Sequence, residues 1–152
     1  MSRVLLNFRG GFAGLREGFE AIGCEVVENQ WAPEGALLEG AVLCVADFVD
    51  CARDAGKSAG LRRRLARVGV PLVALNRDAP FNRGVHWLRL AVLRRLKPFD
   101  AYATHSMQDA GRYARRALYC PNAARESVYR IAEDKLAALR DPASYRWDVS
   151  FL

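Results

Sequence analysis

Histidine and lysine are scarce in this chain, and several familiar motifs are missing altogether. The only histidines are His86 and His105, and neither lies near a cysteine in sequence. Cys24, Cys44, Cys51 and Cys120 include no C-x-x-C pair, so a tetrahedral zinc site has no ligand set to draw on and no metal is expected. Cys24, Cys44 and Cys120 fall in apolar strand-like runs, where a thiol behaves as a small buried hydrophobe. A reduced, cytoplasmic protein is therefore expected ahead of a secreted one. The apolar run near the N-terminus is too short for a signal peptide, and nowhere do about 18 apolar residues follow one another as a membrane-spanning helix needs. No G-x-S-x-G elbow signals a Ser–His–Asp arrangement.

What is present is the composition of one globular domain. Of the 152 residues, 51% are hydrophobic and 26% charged, and a chain of this length buries about 68–70% of its unfolded surface. The net charge of +6 comes from 23 basic against 17 acidic residues, and 20 of the basic ones are arginine. That balance admits an anionic partner such as a nucleotide, a phosphosugar, a nucleic acid or an acidic membrane face, without choosing among them.

Along the chain, short apolar runs alternate with helical periodicity. A first strand over residues 4–8 runs into Arg9-Gly10-Gly11-Phe12, and a helix over 13–22 follows, with Leu15, Phe19 and Ile22 inward and Gly23 as its stop. Strands are expected at 24–27 and 41–46, with a single turn at Leu37-Leu38 between them. After a connection at 50–56, a second helix turns Leu61, Leu65 and Val68 inward and Arg62, Arg63, Arg64 and Arg67 outward, ending at Gly69. Pro71 then opens a run of four apolar residues that ends in Asn76-Arg77-Asp78-Ala79-Pro80. A third, unusually apolar helix covers 85–96, and 101–104 is a short strand. A fourth helix places Ala110, Tyr113, Ala114, Ala117 and Leu118 on one stripe, and 118–120 is another short strand. A fifth helix is expected from 128 or 132 to 139, and the chain closes on an apolar run at 149–152. Strand, turn and helix recur at roughly twenty to thirty residues, which predicts an α/β fold: a three-layer, Rossmann-like, open and mostly parallel sheet with helices on both faces.

In such sheets ligands lie beyond the carboxyl ends of the strands, which makes the strand tips the candidate site. Asn76, Arg77 and Asp78 follow the expected fourth strand. An Asp there can accept a proton from a hydroxyl or hold a ligand's hydroxyls, and an Arg can neutralise phosphate; Asp78-Ala79-Pro80 is equally an ordinary turn. Gly10 and Gly11, with Arg9 beside them, stand where a phosphate-binding turn would stand, but the segment lacks G-x-G-x-x-G spacing and no Lys-Ser/Thr follows, so a plain tight turn is the competing reading. Asp47 and Asp50 face the same rim, with helix capping as the simpler role of each. His105, after the fifth strand, is either a base near neutral pH or a hydrogen-bonded loop residue. The arginine groups at 62–64, 94–95 and 115–116 read as solvated helix faces that do not converge, which argues against nucleic acid. For the apolar 85–96 helix, core or domain contact ranks ahead of a membrane surface.

Three pieces of the chain resemble the N-terminal half of the CgeB-like (spore-maturation-protein-like) glycosyltransferases of GT-B architecture. They are the strand–loop–helix start over 4–22 with Gly23-Cys24-Glu25-Val26, the run from Gly69 to Pro80 with its Asp-x-Pro turn, and the end from Leu118-Tyr119-Cys120-Pro121-Asn122-Ala123 to Tyr145-Arg146-Trp147-Asp148-Val149-Ser150-Phe151-Leu152. The resemblance implies transfer of a sugar from a nucleotide-sugar to an acceptor, with residues 1–148 as the acceptor-side domain and 149–152 as the start of a C-terminal domain or an interdomain strand. By position, Gly10 and Gly11 match the first cleft-facing loop, Asp78 the Asp of the Asp-x-Pro turn, and Asn122 the loop before the linker. No tightly bound cofactor is implied. The nucleotide-sugar would be the donor once a nucleotide-binding C-terminal domain, or a separate chain carrying it, completes the cleft. Alone, the chain is expected to be an inactive fragment, split-gene half or degenerate relative, since catalysis requires both reactants held in register. The alternatives are a non-catalytic Rossmann-like binding or regulatory module and a basic nucleic-acid-associated protein. A response regulator would use an Asp at the third strand's tip, where Asp47 stands, but neither Lys97 nor Lys135 occupies a suitable late strand tip.

Overall fold

The computed structural model describes residues 1–9, 11–77, 84–105 and 110–120. Among these residues six strands form one sheet: β1 (Arg3–Asn7), β2 (Glu25–Glu28), β3 (Ala41–Asp47), β4 (Leu72–Asn76), β5 (Phe99–Thr104) and β6 (Ala114–Tyr119). Every pairing is parallel, in the order β2-β1-β3-β4-β5-β6. The helices are α1 (Ala13–Ala21), α2 (Phe48–Arg53), α3 (Ala55–Arg67), α4 (Trp87–Leu96) and the single turn α5 (Ala110–Tyr113). This is the doubly wound, Rossmann-like sheet expected from the alternating pattern.

The two-residue period of the strands sorts their side chains into two cores. Leu5, Cys44, Ala46, Leu72, Ala74 and Tyr102 lie on the face that packs Phe48, Leu61, Leu65, Leu90 and Leu93 of α2, α3 and α4. Val4, Leu6, Val45, Leu75 and Ala103 lie on the other, against Leu15 and Phe19 of α1. Because both faces are covered, the inner strands read as unbroken apolar runs rather than alternating ones. Pro71 keeps its place ahead of β4 because its carbonyl accepts the Cys44 N–H at 3.0 Å, leaving its missing donor at the strand's very start. Gly23 and Gly69 follow α1 and α3 with φ of +82° and +73°, a backbone region where a side chain would be strained.

Several expectations are corrected. Residues 48–53 form the buried helix α2, so that 50–53 are helical where the connection at 50–56 is expected; Asp47 caps it by accepting the Asp50 N–H at 3.0 Å. Asp54 then ends α2 and caps α3 through the Lys57 N–H at 2.9 Å. Ile22 and Val68, assigned inward, are 74% and 50% exposed, since each sits at its helix's C-cap, past the last full turn on the core. The largest change concerns 114–118: these residues extend β6 rather than a fourth helix. Phe99 to Thr104 would otherwise present an unpaired edge; β6 satisfies it in register from Phe99↔Ala114 to Thr104↔Tyr119, continued by Cys120 N–H to the Thr104 carbonyl at 2.9 Å. Arg115 and Arg116 therefore lie on an edge strand, not on a helix face. The expected fifth helix and the run at 149–152 lie outside the described residues.

No helix among the described residues is long and apolar enough to cross a membrane. None of the four cysteines is joined in a disulfide.

Candidate functional site

In this strand order the chain leaves β1 toward β2 on one side and returns to β3 on the other, so the crevice opens between the carboxyl ends of β1 and β3. Parallel pairing brings four polar strand ends to one rim: Asn7 of β1, Asp47 of β3, Asn76 of β4 and Thr104 of β5. All four are buried, and so is Asp50 on the first turn of α2.

Two ion-pair arms join this rim. Arg77, directly after β4, reaches Asp47 Oδ2 with Nη2 at 3.2 Å. Its guanidinium lies 4.3 Å from the Phe12 ring centroid and 5.3 Å from that of Phe8, so the aromatic pair after β1 supports it by cation–π contact. Arg9 donates its backbone N–H to Asp50 Oδ2 at 3.0 Å, and its Nε lies 3.6 Å from Asp50 Oδ1. Arg53 approaches the same Oδ1 at 3.8 Å.

Two described amides of the loop after β1 are already engaged within the protein. The Gly11 N–H donates to the Phe8 carbonyl at 3.1 Å with φ of +74°, a tight turn, and the Arg9 amide is taken by Asp50. Asp47 takes the Asp50 amide in the first turn of α2. The protein's own carboxylates thus occupy donors that a phosphate-binding loop would leave for its ligand.

What the rim leaves open is hydrogen-bond acceptance. The Oδ1 atoms of Asn7 and Asn76 are buried and have no hydrogen-bond partner among the described residues, although Asn7 uses its Nδ2 toward the Gln30 carbonyl at 3.1 Å and the Cys44 Sγ at 3.5 Å. They stand at the ends of the two strands that flank β3. The Nε of Arg77 is also buried and has no hydrogen-bond partner among the described residues. A buried acceptor without a donor costs about 1–3 kcal/mol, so two on one rim mark a place built for incoming donors.

Of the residues singled out in sequence, Arg9, Gly11, Asn76 and Arg77 share this carboxyl rim. His105 follows the Asn76↔Thr104 pair on the same rim and is exposed. Gly10, Asp78 and Asn122 lie outside the described residues. Asp47 stands at the third strand's tip, but Lys97 caps the C-terminus of α4, ahead of β5, and so belongs to the opposite rim. Sequence reading missed Asn7 as a site residue; a lone asparagine ending an apolar strand, in Leu5-Leu6-Asn7, was the available signal.

Fold and site together define a Rossmann-like domain with an acceptor-rich crevice at its topological switch point. Comparison with family models, with curated proteins and with solved structures yields no match. The likeness to CgeB-like transferases accordingly rests on the motif residues alone.

Proposed function

We propose that the chain is a ligand-binding module that holds a polyhydroxy compound at the β1–β3–β4 rim, and that it serves as the acceptor-side half of a nucleotide-sugar-dependent glycosyltransferase. The observation that carries the reading is the pair of buried acceptors, Asn7 Oδ1 and Asn76 Oδ1, on either side of Asp47, neither with a hydrogen-bond partner among the described residues. Acceptors at this depth are matched by a ligand rich in O–H donors, and a sugar presents several on one face. Arg77 and Arg9, held by Asp47 and Asp50, would orient that ligand rather than neutralise a phosphate, because their charges are already paired. In this reading Asp78 is the base that takes the acceptor's proton, and His105 is the second candidate on the rim. The donor nucleotide-sugar would be held by a second domain or chain, so glycosyl transfer requires that partner.

Saturation-transfer NMR of the chain with a panel of mono- and disaccharides tests the binding half of this proposal. Carbohydrate binding is expected, with loss in Asn76→Leu, which replaces the acceptor by an apolar group of similar size. Absence of any carbohydrate binding, or binding unaffected by N76L, would refute it. Turnover of nucleotide-sugar by residues 1–152 alone would refute the need for a partner.

A further inference from the structure

The opposite rim has the reverse character. A cleft of about 610 Å³ opens at the amino ends of β4, β5 and β6, lined by Arg62, Pro71, Lys97, Phe99, Asp100, Arg115 and Arg116. Four cationic side chains meet one carboxylate there, a net of three positive charges. The arginines that seemed scattered in sequence converge because β6 pairs beside β5, bringing residues 115–116 to the strand whose start faces Arg62 of α3.

Asp100 does not neutralise this cluster; it organises it. Its Oδ1 accepts from Arg62 Nη2 at 2.8 Å and its Oδ2 from the Leu72 N–H at 2.8 Å, so both oxygens are engaged and Arg62 is held in place. Lys97 donates to the Gly111 carbonyl at 3.3 Å, a contact that leaves its charge unbalanced. Arg115 and Arg116 are exposed and have no hydrogen-bond or ion-pair partner among the described residues. The cations that line one cleft repel each other, and a multiply charged anion held there relieves that repulsion while forming forked, charge-assisted hydrogen bonds. The cleft's volume falls in the range of small-ligand sites.

We propose that this amino-rim cleft is a binding site for the diphosphate group of a small molecule, with Arg115 and Arg116 as its principal ligands and Arg62 positioned by Asp100 as the third. The site is separate from the carboxyl-rim crevice and does not depend on the function proposed for that crevice.

Isothermal titration of the full chain with inorganic pyrophosphate and with ADP, at low and at moderate salt, tests it. Both probes are expected to bind, pyrophosphate alone being sufficient if the phosphates are what is recognised. Arg115→Ala/Arg116→Ala should weaken binding at least tenfold, since two of the charge-assisted contacts are lost. The control Arg16→Ala/Lys57→Ala removes two positive charges at exposed positions outside the cleft and should stay within twofold. Circular dichroism melting of both variants checks that the fold is retained. Equal weakening in the two variants would overturn the proposal in favour of a diffuse charge effect. Binding of single-stranded oligonucleotides that strengthens with length, without measurable pyrophosphate binding, would overturn it in favour of a nucleic-acid surface.

Discussion

Replacing Arg77 by methionine is the sharpest test of the tie between β4 and the switch-point crevice. The substitution keeps much of the stem that packs beside Phe8 and Phe12 and removes the charge. Three effects set the size of the loss. The contact from Nη2 to Asp47 Oδ2, 3.2 Å long, is charge-assisted and worth about 1.5–3 kcal/mol. The guanidinium over Phe12 adds about 0.5–1 kcal/mol. Against these, the Arg77 side chain is 32% exposed, so water takes over part of the interaction with Asp47. A net destabilisation of about 2 kcal/mol is expected, which for a domain of this size lowers the melting temperature by about 4–8 °C. Asp47→Asn should cost at least as much: asparagine can still cap α2, but its amide can present N–H toward the guanidinium. Asp47→Ala loses the cap as well, about 1 kcal/mol more. Urea denaturation of R77M, D47N and the double variant gives the coupling directly, expected at about 1–2 kcal/mol. Coupling below about 0.3 kcal/mol would show that the pair is a surface contact of no energetic weight, and the description of a braced crevice would fall with it.

Other consequences follow from the core and its thiols. Burial pushes the Cys44 thiol up to about 12 and raises that of Cys51 further, each slightly opposed by a hydrogen bond, from Asn7 and with Ser58 respectively. In the folded protein both hold their protons where the unfolded chain, with thiols near about 8.5, releases them. Stability is therefore full below that pH and declines above it, each thiol contributing about 1.4 kcal/mol per pH unit until the folded value is reached; denaturation midpoints from pH 7 to 10 that do not decline would contradict this. Thiol titration of the native chain should leave Cys44 and Cys51 unmodified until the protein unfolds. Leu65→Ala, at a fully buried position between α3 and the sheet, should cost about 2–5 kcal/mol by chemical denaturation. Trp87→Ser, by contrast, lies on α4 where the side chain is 60% exposed, and its effect on stability should stay within about 0.5 kcal/mol.

Local pattern alone determined the alternation of strands and helices, the inward stripe of Leu61 and Leu65, the stops at Gly23 and Gly69, and the polar tip after β4. Each of these is written within a few residues, by hydrophobic period, by glycine's access to positive φ, or by the change from apolar to polar at a strand end. The tertiary structure decided the rest. Residues 114–118 carry a helical stripe and good helix formers, yet the open edge of β5 needs hydrogen-bond partners, and that long-range demand outweighs a local preference of a few tenths of a kcal/mol per residue. The apolar helix α4 buries only Leu90 and Leu93 because a single sheet face receives it, a fact its own sequence cannot express. The meeting of Asn7, Asp47, Asn76 and Arg77 on one rim, and of Arg62 with Arg115 and Arg116 on the other, depends on which strands are neighbours. Strand order is a property of the whole sheet, set by crossovers between segments far apart in the chain, so the alternating pattern could place Asp47, Asn76 and Arg77 on one rim but could not add Asn7 or assemble the arginine cluster.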